Sequence, residues 1–149
     1  MDLKGKPCSI HPFSTDGIVL SGSADIKVVA RIFQTAVEDE LEKAGLKVRR
    51  AGSADASAPG GRIAITGRFT TVTAGNRLKR YFAPFMAGAP ATVEVEGTVA
   101  DRDIPLDKFT AVGQRGLGSF GGASPKMLES AARVAGEQAA RRAIAILTD

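Results

Sequence analysis

Residues 62–72 read RIAITGRFTTV, and residues 91–100 read ATVEVEGTVA. In the first stretch Ile63, Ile65 and Phe69 fall on one side, and Arg62, Thr66 and Arg68 on the other. In the second, Val93, Val95 and Val99 alternate with Glu94, Glu96 and Thr98. A period of two places each set on one face of a strand. Paired antiparallel, the two strands would set Arg62 and Arg68 opposite Glu94 and Glu96. Such a sheet is buried on one face and wet on the other.

The flanking sequence supplies what would cover the apolar face. KPCSIHPF (6–13) reads as a first strand ending at Phe13, followed by the polar loop STDGIVLSGS (14–23). A helix then opens near Ser23 as N-cap, with Asp25 in its first turn. Ile26, Val29, Phe33, Val37 and Leu41 recur at helical spacing, and Gly45 ends the helix. LKVRR (46–50) is a short strand, and AGSADASAPGG (51–61) is too small and polar to pack. FTAVGQR (109–115) is a weaker last strand. A final helix runs from Pro125 to about Leu147, with Ser124 as its cap and Pro125 at its first position. Its inner stripe of Leu128, Ala132, Ala135, Ala139 and Ala143 is mostly alanine, so it should sit close against its neighbour. The order β-α-β-β-β-β-α predicts a single α+β domain over residues 1–149. It would be a two-layer sandwich with one mostly antiparallel sheet of about five strands and both helices on one face.

With 149 residues, 44% of them hydrophobic and 24% charged, the chain has the balance of one globular domain. Its net charge of +4 is spread along the sequence, and no basic run interleaves with aromatics, which argues against nucleic-acid binding. Cys8 is the one cysteine, so no internal disulfide forms. No apolar run approaches the roughly 20 residues of a membrane span. The opening MDLKGKPCSIHPF lacks the apolar stretch of a secretion signal, pointing to the cytoplasm unless a leader has been removed.

RGLGSFGGASP (115–125) contains G-x-G-x-x-G at Gly116, Gly118 and Gly121. A dinucleotide turn needs a strand after its helix, whose acidic end residue holds the ribose. Here the helix is the last element, so the fingerprint fails on context. Two readings remain: a plain connection before a capped helix, or an anion site formed by Gly116, Gly118, Gly121, Ser124 and Lys126.

Catalytic patterns are sparse. His11 and Cys8 are three apart on a predicted strand, which turns their side chains to opposite faces. Asp101, Asp103 and Asp107 read as turn residues, because no shaped loop follows to complete a cation site. Glu38, Asp39, Glu40 and Glu42 read as the solvated side of the first helix. The segment GNRLKRYFAPFMAGAP (75–90) stands apart, being far longer than a hairpin turn. It carries Arg77, Lys79 and Arg80, then Tyr81, Phe82 and Phe85. Either its aromatics plug one end of the sandwich, or they anchor a partner surface rimmed by cations.

The run from NRLKRYFAPF through MAGAP to ATVEVEGTVAD resembles the bacterial family of domain of unknown function 4410. The opening CSIHPFSTD looks like that family's start, and like those of the curli-secretion lipoprotein and the Tol-system periplasmic protein's amino-terminal domain. The resemblance implies a small envelope protein or lipoprotein with an α+β sandwich and no assigned activity. The combined expectation is a non-catalytic binding or assembly module with no cofactor and no metal. It would recognise a protein partner through Arg77–Phe85 and could form a homo-oligomer. The alternative is a small-molecule, nucleotide or anion binder using the glycine-rich turn.

Overall fold

The computed structural model describes residues 2–21, 25–50, 63–73, 91–102, 104–115 and 125–148. In chain order the elements are β1 (Pro7–Ile10), β2 (Val19–Ser21), α1 (Ile26–Lys43), β3 (Lys47–Arg50), β4 (Ile63–Thr73), β5 (Ala91–Asp101), β6 (Ile104–Arg115) and α2 (Pro125–Thr148). The strands form one mixed sheet in the order β3-β1-β4-β5-β6, with β2 also on β4. The long strands β4, β5 and β6 pair antiparallel, while β1, β2 and β3 pair parallel. The α+β order read from the sequence therefore holds, with one short strand added.

That addition is β2, inside the stretch read as a loop. β1 pairs with Ile63–Ile65, Ser14 bridges Arg68, and Val19–Ser21 pairs with Thr71–Thr73. The chain thus follows one edge of β4 along its length, interrupted rather than released. β1 ends at Ile10, although backbone bonds from His11 to Ile65 and from Ser14 to Gly67, each 3.0 Å, continue the track past Phe13.

The helix start also shifts. Asp25 is the N-cap, its Oδ1 accepting from the Lys27 and Val28 amides at 3.1 and 3.5 Å, and Ser23 lies outside the described residues. An aspartate stands at the positive end of the helix dipole and satisfies two orphan amides together. At the other end Gly45 takes φ +104°, a left-handed turn that favours glycine.

Arg68 does pair with Glu96, but Glu94 stands opposite Thr71 rather than an arginine, and Arg62 lies outside the described residues. The register that sets Arg68 against Glu96 would bring Glu94 to Thr70, and a bulge there, with the Thr70 hydroxyl donating to the Glu94 carbonyl at 3.1 Å, moves it on to Thr71. The extra residue lets Phe69 and Val72, three apart, face the same core. The last strand is longer than FTAVGQR: it has 12 residues and begins at Ile104, so most of the DRDIPLD turn is strand.

The core lies between the sheet and both helices. Val29, Phe33, Val37 and Leu41 of α1 are buried with Leu128, Ala132, Ala135, Ala139 and Ala143 of α2. Small residues set the spacing. A Cβ on Gly113 of β6 would run into the Ala131 carbonyl and the Ala135 amide of α2. One on Gly136 would lie 2.6 Å from the Phe33 carbonyl oxygen of α1. Within the sheet, Gly67 faces Gly97, and Gly97 faces Phe109. The bare glycines leave room for two rings: Phe13 lies over Gly67 and Phe109 over Gly97. Phe13 completes an aromatic cluster, with its ring centroid 4.8 Å from Phe33 and 6.2 Å from Phe69.

Gly113→Ala should therefore cost about 1–3 kcal/mol, because backbone rather than a flexible side chain must give way. Thr110→Ala, on the exposed side of the same strand, should stay within about 0.5 kcal/mol of wild type. Urea unfolding followed by circular dichroism checks both values. Equal effects would contradict the tight helix–sheet contact.

Candidate functional site

Ser21 pairs with Thr73, Thr73 with Thr92, and Ala91 with Arg115. These pairs bring the ends of β2, β4 and β6 and the start of β5 to one end of the sheet. The connections 74–90 and 116–124 therefore both leave from that end. Arg77, Lys79, Arg80, Tyr81, Phe82 and Phe85 belong to the first connection and lie outside the described residues. Gly116, Gly118, Gly121 and Ser124 belong to the second and also lie outside them, while Lys126 is the second residue of α2. What the fold contributes is a shared rigid base for two segments far apart in sequence.

The wet face of the sheet forms a shallow concavity of about 620 Å³. Its polar lining includes Ser14, Thr66, Arg68, Glu96, Thr98 and Lys108. Arg68 donates to Glu96 Oε2 from Nε at 3.1 Å and from Nη2 at 3.0 Å. Both partners are at least half exposed, so the pair fixes cross-strand register more than it adds stability. Lys108 stands beside the pair in the same concavity and gives the surface a cationic excess. Such a face can bind by charge and hydrogen bonding, but it lacks a desolvated acid or base.

Cys8 is fully buried, and burial pushes its thiol up to about 12 from its ordinary 9.0. A thiol held protonated in an apolar core is a poor nucleophile. His11 is half-buried just beyond β1, with its main-chain amide on the Ile65 carbonyl. The described residues contain no group of three or more His, Cys, Asp or Glu side chains placed to share a metal ion. Asp107 instead accepts from the Lys108 amide at 2.8 Å, and Arg50 reaches across to Glu38 of α1 with Nη2–Oε2 at 3.1 Å. That contact raises the Arg50 pKa, first through its hydrogen bond and then through the carboxylate charge.

Two features were not legible as sites in the sequence. One is a groove of about 450 Å³ along α1 and α2, of whose lining only Asp39 and Glu40 were read from the sequence, as part of a solvated face. The other is the start of β6, where Ile104 and Leu106 are exposed although they read as part of a turn. The signal for the second was present: two large apolar residues two apart, in a stretch otherwise suited to a turn.

The model of the family described as Domain of unknown function (DUF4410) matches residues 14–140, and the chain belongs to that family. No curated protein matches the chain. Among solved structures, the PelC dodecamer from Paraburkholderia phytofirmans is similar over 99% of this chain and 91% of its own. The identity is 14% and the TM-score 0.55. Protein XCC0632 from Xanthomonas campestris, of the family DUF330, is similar over 98% of this chain and 87% of its own, at 11% identity and a TM-score of 0.52. Likeness at these identities carries the fold and not a role.

Cys8 gives this region a pH signature. The folded chain holds the thiol proton more tightly than the unfolded chain, so this stabilisation is whole below the unfolded value of 9.0. It is lost as the pH rises toward about 12. Cys8→Ala should show a shallower fall in stability over that range than wild type, measured by urea midpoint. Parallel curves would place the thiolate in a solvated setting.

Proposed function

We propose that this chain is a non-catalytic assembly module of the bacterial envelope. It builds a homo-oligomer and recognises a protein partner through the Arg77–Phe85 segment. The observation that carries the reading is the similarity of nearly the whole chain to a protein whose structure is a dodecamer. An oligomer of one small domain repeats each loop around the assembly, and weak contacts repeated in this way gain avidity. The anchoring of both long connections at one end supports this, since a ring or stack would present them as a set.

The absence of catalysis is part of the proposal. Its support is the state of the polar groups in the described residues: a surface arginine–glutamate pair, a capped helix start and a protonated core thiol. None is a desolvated pair of the kind that works as acid and base. The envelope assignment draws on the likeness of CSIHPFSTD and ATVEVEGTVAD to envelope families.

Light scattering coupled to size-exclusion chromatography, with native mass spectrometry, should give one closed oligomer over a wide concentration range. A monomer under all conditions would sink the assembly reading. Arg77→Glu with Arg80→Glu and Phe85→Ala should leave the fold and the oligomer intact and abolish co-purification of the partner. Unchanged co-purification would remove the segment from recognition.

A further inference from the structure

Ile104 and Leu106 are the exposed large hydrophobic residues among those described, 66% and 43% exposed. They occupy the first turns of the pleat in β6, where Val99 pairs with Asp107 and Ala100 with Pro105. Leu106 is therefore the extra residue of a bulge, pushed out of the ladder. One exposed leucine needs no explanation, but an Ile–Pro–Leu tip beside a bulge is a compact apolar projection. Its charged neighbours are of both signs: Arg102 and Lys108 with Asp101 and Asp107.

The groove between α1 and α2 has the matching character. Half-buried Ile32 and buried Ala36 form its apolar floor. Its rim carries Arg31, Lys43 and Arg133 together with Asp39, Glu40 and Glu137. We propose that the Ile104–Leu106 tip of one copy seats in the α1–α2 groove of a second copy of this chain. The inference rests on the homo-oligomer reading and names the surfaces that would make it.

Three observations favour this occupant. The first is charge: a tip and a rim that both mix signs suit a mixed-charge protein surface. An anionic lipid layer would instead select an excess of cations around the tip. The second is that the sheet edges are guarded against strand addition. On β6, Gln138 of α2 accepts from the Val112 amide at 2.7 Å, and Asp107 accepts from the Lys108 amide at 2.8 Å. The other edge, β3, has four residues and exposes Lys47 and Arg49. Strand addition is disfavoured at these two edges, which favours contact by projections and faces. The third is separation. Ile104 stands nine positions along β6 from Gly113, roughly 30 Å at strand spacing. Gly113 lies under Ala131 and Ala135 of α2, the stretch that also carries Arg133 and Glu137 of the groove. One copy can thus donate its tip and receive another at once. The contact is heterologous, and it closes into a ring if the rotation between copies allows.

The test uses two variants of the full chain. The tip variant carries Ile104→Asp and Leu106→Asp; the groove variant carries Ile32→Glu and Thr35→Arg. Thr35→Arg alone, at an exposed position, stands in if Ile32→Glu impairs folding. Each variant should lose the oligomer and run as a monomer with an unchanged circular dichroism spectrum. An equimolar mixture should recover one intact contact and give a one-to-one dimer by native mass spectrometry. Variants that keep the wild-type oligomer would overturn the contact while leaving the assembly reading in place. Monomers that fail to pair on mixing would overturn it as well. Wild type that is itself monomeric would fail the underlying reading. Tip-dependent sedimentation with phosphatidylglycerol vesicles, with the oligomer unaffected, would assign the tip to lipid and overturn the proposal.

Discussion

The close approach of α2 to its neighbours is the constraint on which the molecule depends. At Gly113 the helix backbone rests on the strand with no side chain between them, and at Gly136 it rests on α1 in the same way. The first exists because glycine meets Ala131 and Ala135, the second because Gly136 meets the Phe33 backbone beside Ala36, and each gap removed leaves more dispersion contacts per unit length. A helix of 24 residues held this closely cannot slide or roll without opening voids. It therefore fixes the position of β6 and the width of the α1–α2 groove. It also brings Gln138 to the edge of β6, so the packing that builds the core also decides which backbone amides remain open.

The paired glycines solve a different problem in the middle of the sheet. A sheet under two helices has more area than the helix side chains can cover. Phe13 comes from the interrupted track between β1 and β2 and fills the depression over Gly67, while Phe109 fills the one over Gly97. The break after Ile10 is thus what frees Phe13 to turn inward. A continuous strand would have kept that residue in the ladder and left the glycines bare.

Much of this was legible from local pattern. Alternation in Ile63–Phe69 and Val93–Val99 defines two strands, and the stripes on the two helices define the covered face. What the pattern could not supply was register. The ladder that pairs Arg68 with Glu96 leaves Glu94 to a threonine, and one unpaired residue at Thr70 then moves it to Thr71, a position that no propensity marks. β2 was hidden for a related reason: Val19–Ser21 is too short for alternation to show, and its pairing with β4 comes from residues some fifty positions away. Asp25 prevailed over Ser23 as cap because its carboxylate reaches two amides and meets the helix dipole with full charge. The candidate segments at 77–85 and 116–124 were conspicuous by composition. Their anchoring to one end of the sheet was not, because it follows from strand direction and not from the segments themselves.

Strand direction also divides the molecule's surface. At one end stand Ser21, Thr73, Ala91 and Arg115, with the long connections; at the other stand Ile63, Asp101 and Ile104, with a tight hairpin. Long connections tolerate substitution and carry specificity, whereas a short hairpin on two long strands is held rigidly. On the proposed tip-in-groove contact, such a hairpin would gain from rigidity, since little ordering entropy is lost on contact. A segment that must suit a particular partner gains from being free to vary. If the hairpin serves self-association and the long connections serve recognition, as proposed, their placement at opposite ends of the same strands would let the two change independently, while the alanine-lined contact of α2 with the sheet holds the distance between them.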